Sequence, residues 1–249
     1  MWLRCIACEV LARPVYLCAA TSPHIVDVQL MQRGLHNHPL RLRTELQAMV
    51  DASDAQKYDA VVLGYGLCGQ ATEGLEARDI PLVIPRAHDC ITLFLGSRER
   101  YQAQFTQYPG TFWYAQDYIE RDDGSGAALA MGSGMEADLE AVYEDYVKKY
   151  GKDNADYLME VMGAWQSHYQ RATYLDMRIG DAGAVEEAAA AAAARRGWVY
   201  ERIAGDMVLI RRLLAGEWEG QDNDDFLVVP PGHKIAITYD ERVIQCALP

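Results

Sequence analysis

The chain has 249 residues, of which half are hydrophobic and about a quarter are charged, as is usual for one large or two small globular domains. Its formal net charge of −13 repels phosphate backbones and anionic lipid, so we expect no nucleic acid and no membrane among its partners. No stretch of uncharged apolar residues reaches the length that would span a bilayer.

The six cysteines are not spaced as a disulfide framework, which a chain of this length does not need. The apolar N-terminal stretch is interrupted by Arg4, Glu9 and Arg13 and therefore predicts no signal peptide. We expect a cytoplasmic protein whose thiols are free for metal binding or for chemistry.

In the first 105 residues, short apolar segments alternate with amphipathic ones. This alternation predicts a mostly parallel sheet with connecting helices. Helices are predicted at Leu40–Val50 and from Ile91 to about Phe105, and strands at Trp2–Cys8, Ile25–Met31, Ala60–Leu63 and Pro81–Ile84.

A glycine-rich run predicts a loop or hinge over residues 123–134. Beyond it, the alternation of helix and strand resumes, so we predict an α/β fold with two Rossmann-like lobes, residues 1–122 and 135–249, mostly parallel sheets and a cleft between them. The later elements are predicted helices at Glu136–Tyr150, Tyr157–Tyr169, Ala184–Arg196 and Asp206–Leu214, and predicted strands at Tyr174–Met177, Trp198–Ile203 and Phe226–Val229.

Cysteine and histidine residues follow each of the four predicted strands of the first lobe. Because the carboxyl ends of parallel strands lie along one edge of the sheet, where ligands bind, we expect Cys8, Cys68 and Cys90 to converge with His36 or His88. Thiolate and imidazole together suit zinc or an iron–sulfur cluster. The same edge carries Arg86, whose guanidinium could hold a carboxylate or a phosphate.

The same residues have simpler interpretations. A free cysteine often only packs, and this is our interpretation of Cys5, Cys18 and Cys246. Asp89 is expected to cap the helix that begins near Ile91. The glycines of GYGLCG match the spacing of a dinucleotide-binding turn, but no acidic residue follows the next strand, so we interpret them as a tight turn beside the cluster.

Five segments resemble an uncharacterised bacterial and archaeal family, known as domain of unknown function 1638: IACEVL, GLHNHP, YDAVVLGYGLCG, PLVIPRAHDCITLFLGSRERY and YPGTFW. The resemblance is densest over residues 5–114. The resemblance implies a metabolic setting, one-carbon metabolism, because members of the family accompany corrinoid-dependent methyl-transfer systems. The family pattern matches here at Cys8, His36, Cys68, Arg86, His88, Asp89 and Cys90, whereas Cys5, Cys18, His38 and Cys246 fall outside it.

The leading hypothesis is a metal-dependent enzyme of one-carbon metabolism, such as a methyltransferase. It would bind zinc or an iron–sulfur cluster through Cys8, Cys68, Cys90 and His88 or His36, and would hold a small-molecule substrate with an anionic group through Arg86, with His36 as a second catalytic residue. The alternative is a non-catalytic accessory or metal-delivery protein that meets a corrinoid through a partner protein. A third hypothesis is a thiol-based redox protein without a metal.

Overall fold

The computed structural model describes residues 1–121, 147–148, 151–154, 169–218 and 224–248. The predicted hinge at 123–134 lies outside these residues, as do most of the predicted helices at 136–150 and 157–169. The described chain forms two compact units. The first unit comprises Met1–Ala103, Met177–Ile179 and Ala204–Pro249, and the second comprises Gln104–Asp176 and Gly180–Ile203.

The described strands and helices alternate along most of the chain. The strands are β1 (Trp2–Cys8), β2 (Ile25–Met31), β3 (Ala60–Gly64), β4 (Leu82–Pro85), β5 (Thr111–Ala115), β6 (Arg171–Asp176), β7 (Val199–Ala204), β8 (Phe226–Val229), β9 (Lys234–Ile237) and β10 (Ile244–Ala247). The helices are α1 (Ala12–Ala20), α2 (Pro39–Asp51), α3 (Cys90–Leu95), α4 (Arg98–Gln107), α5 (Gln116–Glu120), α6 (Gly183–Arg196) and α7 (Val208–Leu214).

The first unit is built around a five-stranded sheet in the order β2-β1-β3-β4-β8. Strands β1 to β4 pair in parallel. Strands β3 and β4 are buried along their whole length, as their unbroken apolar sequences require of central parallel strands. The chain adds β2 on one side of β1 and β3 on the other, so the topological switch point lies between β1 and β3.

The prediction that Phe226–Val229 belongs to a second lobe is wrong. This segment is β8, which pairs antiparallel with β4 from Leu82↔Val229 to Pro85↔Phe226. An apolar strand needs a partner for its backbone groups, and the exposed edge of β4 provides one. The α/β class and the mostly parallel sheet are confirmed, whereas the cleft between two Rossmann-like lobes stays a prediction.

The predicted helix from Ile91 to Phe105 is interrupted in the structure. Gly96 ends α3 in the left-handed conformation, with φ of 70°, and a Cβ atom there would lie 2.7 Å from the backbone oxygen of Asp206. Only glycine permits both this conformation and this approach, so the chain turns before α4 begins.

The second unit contains a three-stranded sheet in the order β5-β6-β7, with β5 and β6 parallel. Its core packs the aromatic residues Phe112, Tyr114 and Tyr174 against the small residues of α6. Gly197 follows the predicted helix Ala184–Arg196 directly and ends α6 with φ of 68°, as is typical of a glycine at a helix C-terminus. No helix among the described residues is both long and apolar enough to cross a membrane.

Candidate functional site

The site begins where β1 and β3 end side by side. Cys8 is the last residue of β1 and is buried. On the neighbouring strand, a Cβ atom at Gly64 would lie 2.6 Å from the Cβ of Ala7, so only glycine allows this approach. Tyr65 follows directly and is 2% exposed. The side chains of Cys8 and Tyr65 therefore lie at the topological switch point, where open α/β sheets bind their ligands.

Backbone contacts fasten the loop after β3 to the loop after β4. Leu67 N donates to Ala87 O at 2.8 Å, and Cys68 N donates to His88 O at 2.9 Å. A Cβ atom at Gly66 would lie 2.8 Å from Ala87 O, so a larger residue would push the loops apart. These contacts hold Cys68 beside the segment that carries His88 and Cys90.

The backbone at Cys68 is in an uncommon conformation. Cys68, Gly69 and Gln70 have φ values of 47°, 63° and 71°, so three successive residues adopt the left-handed region. Each non-glycine residue there costs on the order of 1–2 kcal/mol. Such strained conformations cluster at functional sites, and this one determines where the Cys68 thiol sits.

Asp89 begins α3, as the sequence predicted. Its Oδ1 accepts a hydrogen bond from Ile91 N at 3.0 Å, which caps the helix, and its Oδ2 accepts one from the Tyr101 hydroxyl at 3.1 Å. The cap fixes Cys90 as the first helical residue. His88 lies on the exposed side, where its ring stacks on Tyr101 with centroids 5.8 Å apart.

Cys8 is buried, whereas Cys68 and Cys90 are half-buried, and in all three the burial of the thiol favours its protonated form. Burial raises the pKa of Cys8 to about 11, and it also raises the pKa values of Cys68 and Cys90. A thiolate at Cys8 would raise the pKa of Cys68 further, and thiolates at Cys68 and Cys8 would do the same at Cys90.

Tyr65 and Arg33 belong to this environment and were missed by the sequence reasoning. The Tyr65 hydroxyl and the charge of Arg33 each lower the pKa of Cys8, against the larger effect of burial. Arg33 follows β2 and is 1% exposed, with its backbone N donating to Glu9 Oε1 at 2.6 Å. The feature of the sequence that could have pointed to Arg33 is its position just after a predicted strand.

Within the described part of the chain, no group of three or more histidine, cysteine, aspartate or glutamate side chains forms a set that could hold a metal ion. His36 lies in a short 3-10 helix, Arg33–Asn37, and its side chain is outside what the structure describes. The prediction that His36 or His88 is a nitrogen ligand therefore stays a prediction.

The sequence pattern of a family described as "Protein of unknown function (DUF1638)" matches residues 30–214. The chain belongs to this family. No curated protein and no solved structure matches it. Within the matched residues of this DUF1638 protein lie Cys68, Arg86, His88 and Cys90, whereas Cys8 precedes them.

In this DUF1638 protein, Arg86 lies between the end of β4 and the start of β10. Its Nη1 donates to the backbone oxygens of Ile244 and of Arg242, the latter at 3.3 Å, and its Nε lies 3.4 Å from Oδ1 of Asp224. Burial lowers the pKa of Arg86, and Asp224 opposes that effect. Arg86 thus ties β10 to the end of β4 while its side chain lines a pocket.

Proposed function

We propose that Cys8, Cys68 and Cys90 bind zinc or an iron–sulfur cluster, with His88 or His36 as the nitrogen ligand. The observation that carries this proposal is the placement of three cysteines at or just after the carboxyl ends of the neighbouring parallel strands β1, β3 and β4. The loop of Cys68 is hydrogen-bonded to the loop that leads to Cys90, and this edge of an open α/β sheet is where ligands bind. Thiolates are the donors that zinc and iron–sulfur clusters prefer.

The donor chemistry fits such a group, but the described side chains do not yet form a closed ligand set. Metal binding therefore requires the thiols to draw together. The strained turn at Cys68 is the segment with the most to gain from a shift, since relaxing a left-handed residue releases backbone energy.

The burial of the thiols, which favours their protonated form, offers no support for the redox hypothesis. A redox cysteine needs a lowered pKa, because the thiolate is the nucleophile, and the pKa values of Cys8, Cys68 and Cys90 are all raised. A metal cation, in contrast, replaces the thiol protons and compensates the buried negative charge.

The biochemical setting that we propose is one-carbon or corrinoid-linked methyl-transfer metabolism in the cytoplasm. A bound zinc ion would lower the pKa of a thiol or a water molecule and present it for methyl transfer or hydrolysis. Arg86 would hold an anionic group of the small-molecule substrate, with His36 near the reacting centre. The second candidate is a non-catalytic accessory protein that delivers metal to, or docks on, a corrinoid protein.

Metal analysis of the anaerobically purified full-length protein tests the proposal. We expect zinc or iron in stoichiometric amount, and its loss in a Cys68→Ser variant. Cys18→Ser is the matched control, because Cys18 is also a buried free thiol but lies outside the cluster. Absence of metal from protein that has been reconstituted with zinc, or with iron and sulfide, would overturn the proposal. X-ray absorption then separates the candidates, since an open coordination position favours an enzyme and a closed four-ligand site favours an accessory protein.

A further inference from the structure

A pocket of about 790 Å³ opens beside the end of β4, and its size suits a small organic ligand. All of its lining residues belong to the first unit. They include Arg86, Thr92, Arg98, Asp224 and Glu241.

Two buried polar atoms of the pocket lining make no hydrogen bond with the described residues. Thr92 is 1% exposed, and its hydroxyl oxygen is one of them. The Nε of Arg86 is the other, and it lies 3.4 Å from Asp224 Oδ1 in a long ion pair. Because a buried unpaired polar group costs on the order of 1–3 kcal/mol, a ligand that offered partners to these atoms would gain affinity.

The Asp224 carboxylate occupies the space between two arginines. Its Oδ1 lies 3.4 Å from Arg86 Nε and its Oδ2 lies 3.2 Å from Arg98 Nη1. Both distances exceed the roughly 2.7–2.9 Å of a good charged hydrogen bond. The side chains of Arg86 and Arg98 are 13% and 19% exposed, whereas that of Asp224 is 62% exposed. The arginines are therefore fixed, and the carboxylate between them is the part that can leave.

The charge of the pocket limits what can replace Asp224. Glu99, Asp225 and Glu241 also line it, so a polyanion such as a nucleoside triphosphate would be repelled. A single carboxylate matches the group that it displaces in both charge and shape.

We infer that this pocket binds the carboxylate of a small organic acid, which displaces the Asp224 side chain from Arg86 and Arg98, while the Thr92 hydroxyl takes a second polar group of the ligand. His88 lies on the pocket wall, two residues before Cys90. The inference deepens the proposed function by naming the substrate class, and rests on that function only for the ligand's role as a substrate.

Calorimetric titration of the full-length, metal-free protein tests the inference, with acetate, benzoate and succinate as probes. At least one of these should bind at a single site, and the neutral isostere benzamide should not. Arg98→Gln should weaken binding by at least about tenfold, because it removes a charged hydrogen-bond donor. Asp224→Asn should strengthen binding by about threefold, because it removes the competing carboxylate.

Glu241→Gln is the matched control for charge. Like Asp224→Asn, it removes one negative charge from the pocket, but it does not free an arginine from its ion pair. It should therefore change the affinity by less than about twofold. Equal strengthening by both variants, weaker binding to Asp224→Asn, no binding of any carboxylate, or tighter binding of inorganic phosphate would each overturn the inference. Metal content is measured separately, so failure here is distinct from failure of the proposed metal site.

Discussion

The thiol of Cys8 differs sharply from that of Cys246 in reactivity. Cys246 is exposed, whereas burial raises the pKa of Cys8 to about 11, so only about one Cys8 in a thousand is a thiolate at pH 8. We expect iodoacetamide at pH 8 to alkylate Cys246 first in the folded, metal-free protein. Peptide mass spectrometry checks the order, with urea-unfolded protein as the control in which both react. Labelling of Cys8 ahead of Cys246 would contradict the burial of β1.

A substitution at Cys90 distinguishes a metal ligand from a residue that only packs. If it is a ligand at a partly open edge, Cys90→Ser loses metal and changes the free energy of unfolding of the metal-free protein by less than about 1 kcal/mol. If it only packs, the buried hydroxyl costs about 1–3 kcal/mol and metal content is unchanged. Metal analysis of the purified variant, with melting temperatures of variant and wild type after metal removal, distinguishes the outcomes. Retention of full metal content with a clear drop in melting temperature would remove Cys90 from the site.

Among individual residues, the sequence could predict those whose placement follows from position along the chain. Asp89 precedes an apolar helical segment, which is the position of a cap, and Cys8 lies at the end of a strand, with Cys68 in the loop after another. The roles of the two cysteines stay predictions. Thr92 and Tyr65 could not be found in this way. Their importance comes from burial beside a pocket or a thiol, and burial depends on parts of the fold that are distant in sequence.

At the scale of elements, Asp27 joins β2 to the N-terminal ends of its neighbours. Its Oδ2 accepts hydrogen bonds from Lys57 Nζ at 2.5 Å, the Tyr58 hydroxyl at 2.8 Å and Trp2 Nε1 at 3.3 Å. The hydrogen bonds from Lys57 and then Tyr58 lower the pKa of Asp27. The unfolded chain therefore takes up the proton first as the pH falls, so the stabilisation is present above about pH 4 and is lost below it.

An Asp27→Asn variant tests this sign. Because the carboxylate is 42% exposed, we expect a loss of at most about 1 kcal/mol in the free energy of unfolding at pH 7. The difference from the wild type should shrink as the pH falls from 4 to 2.5, as measured by urea titration at each pH. Tyr58→Phe, which removes one donor, should show the same trend with a smaller loss. A difference that stays constant with pH would show that the charge of Asp27 does not contribute.

Elements that depend on local pattern were predicted well, and those that depend on distant contacts were not. The buried runs of β3 and β4 and the glycine at the end of α6 are local signals. The interruption at Gly96 is not, because it depends on contact with Asp206, 110 residues later in the chain. The hairpin of β9 and β10 was also missed, since short half-exposed strands carry little alternation.

At the scale of the whole molecule, the chain leaves the first unit after Ala103 and returns to it for good at Ala204. The sequence predicted a division into consecutive lobes, because a flexible-looking run separates two regions of alternating helix and strand. The division in the structure is different, because the edge of β4 needs a partner strand and the apolar strand β8 pairs with it.

Because the chain returns to the first unit at Ala204, we expect helix α7 to unfold together with β1 and β3. Helix α7 packs on α1, β3 and β4, and Leu213 on this helix is 1% exposed. We expect Leu213→Ala to lower the free energy of unfolding by about 2–5 kcal/mol. By hydrogen exchange, the amides of β1 and β3 should lose protection by the same free energy as those of α7, with β6 in the second unit as an internal reference.

Leu248→Ala is the control, because Leu248 is 72% exposed and its truncation should change stability by less than about 0.5 kcal/mol. If only the amides of α7 exchanged faster, the segment after Ala204 would unfold separately from the parallel sheet.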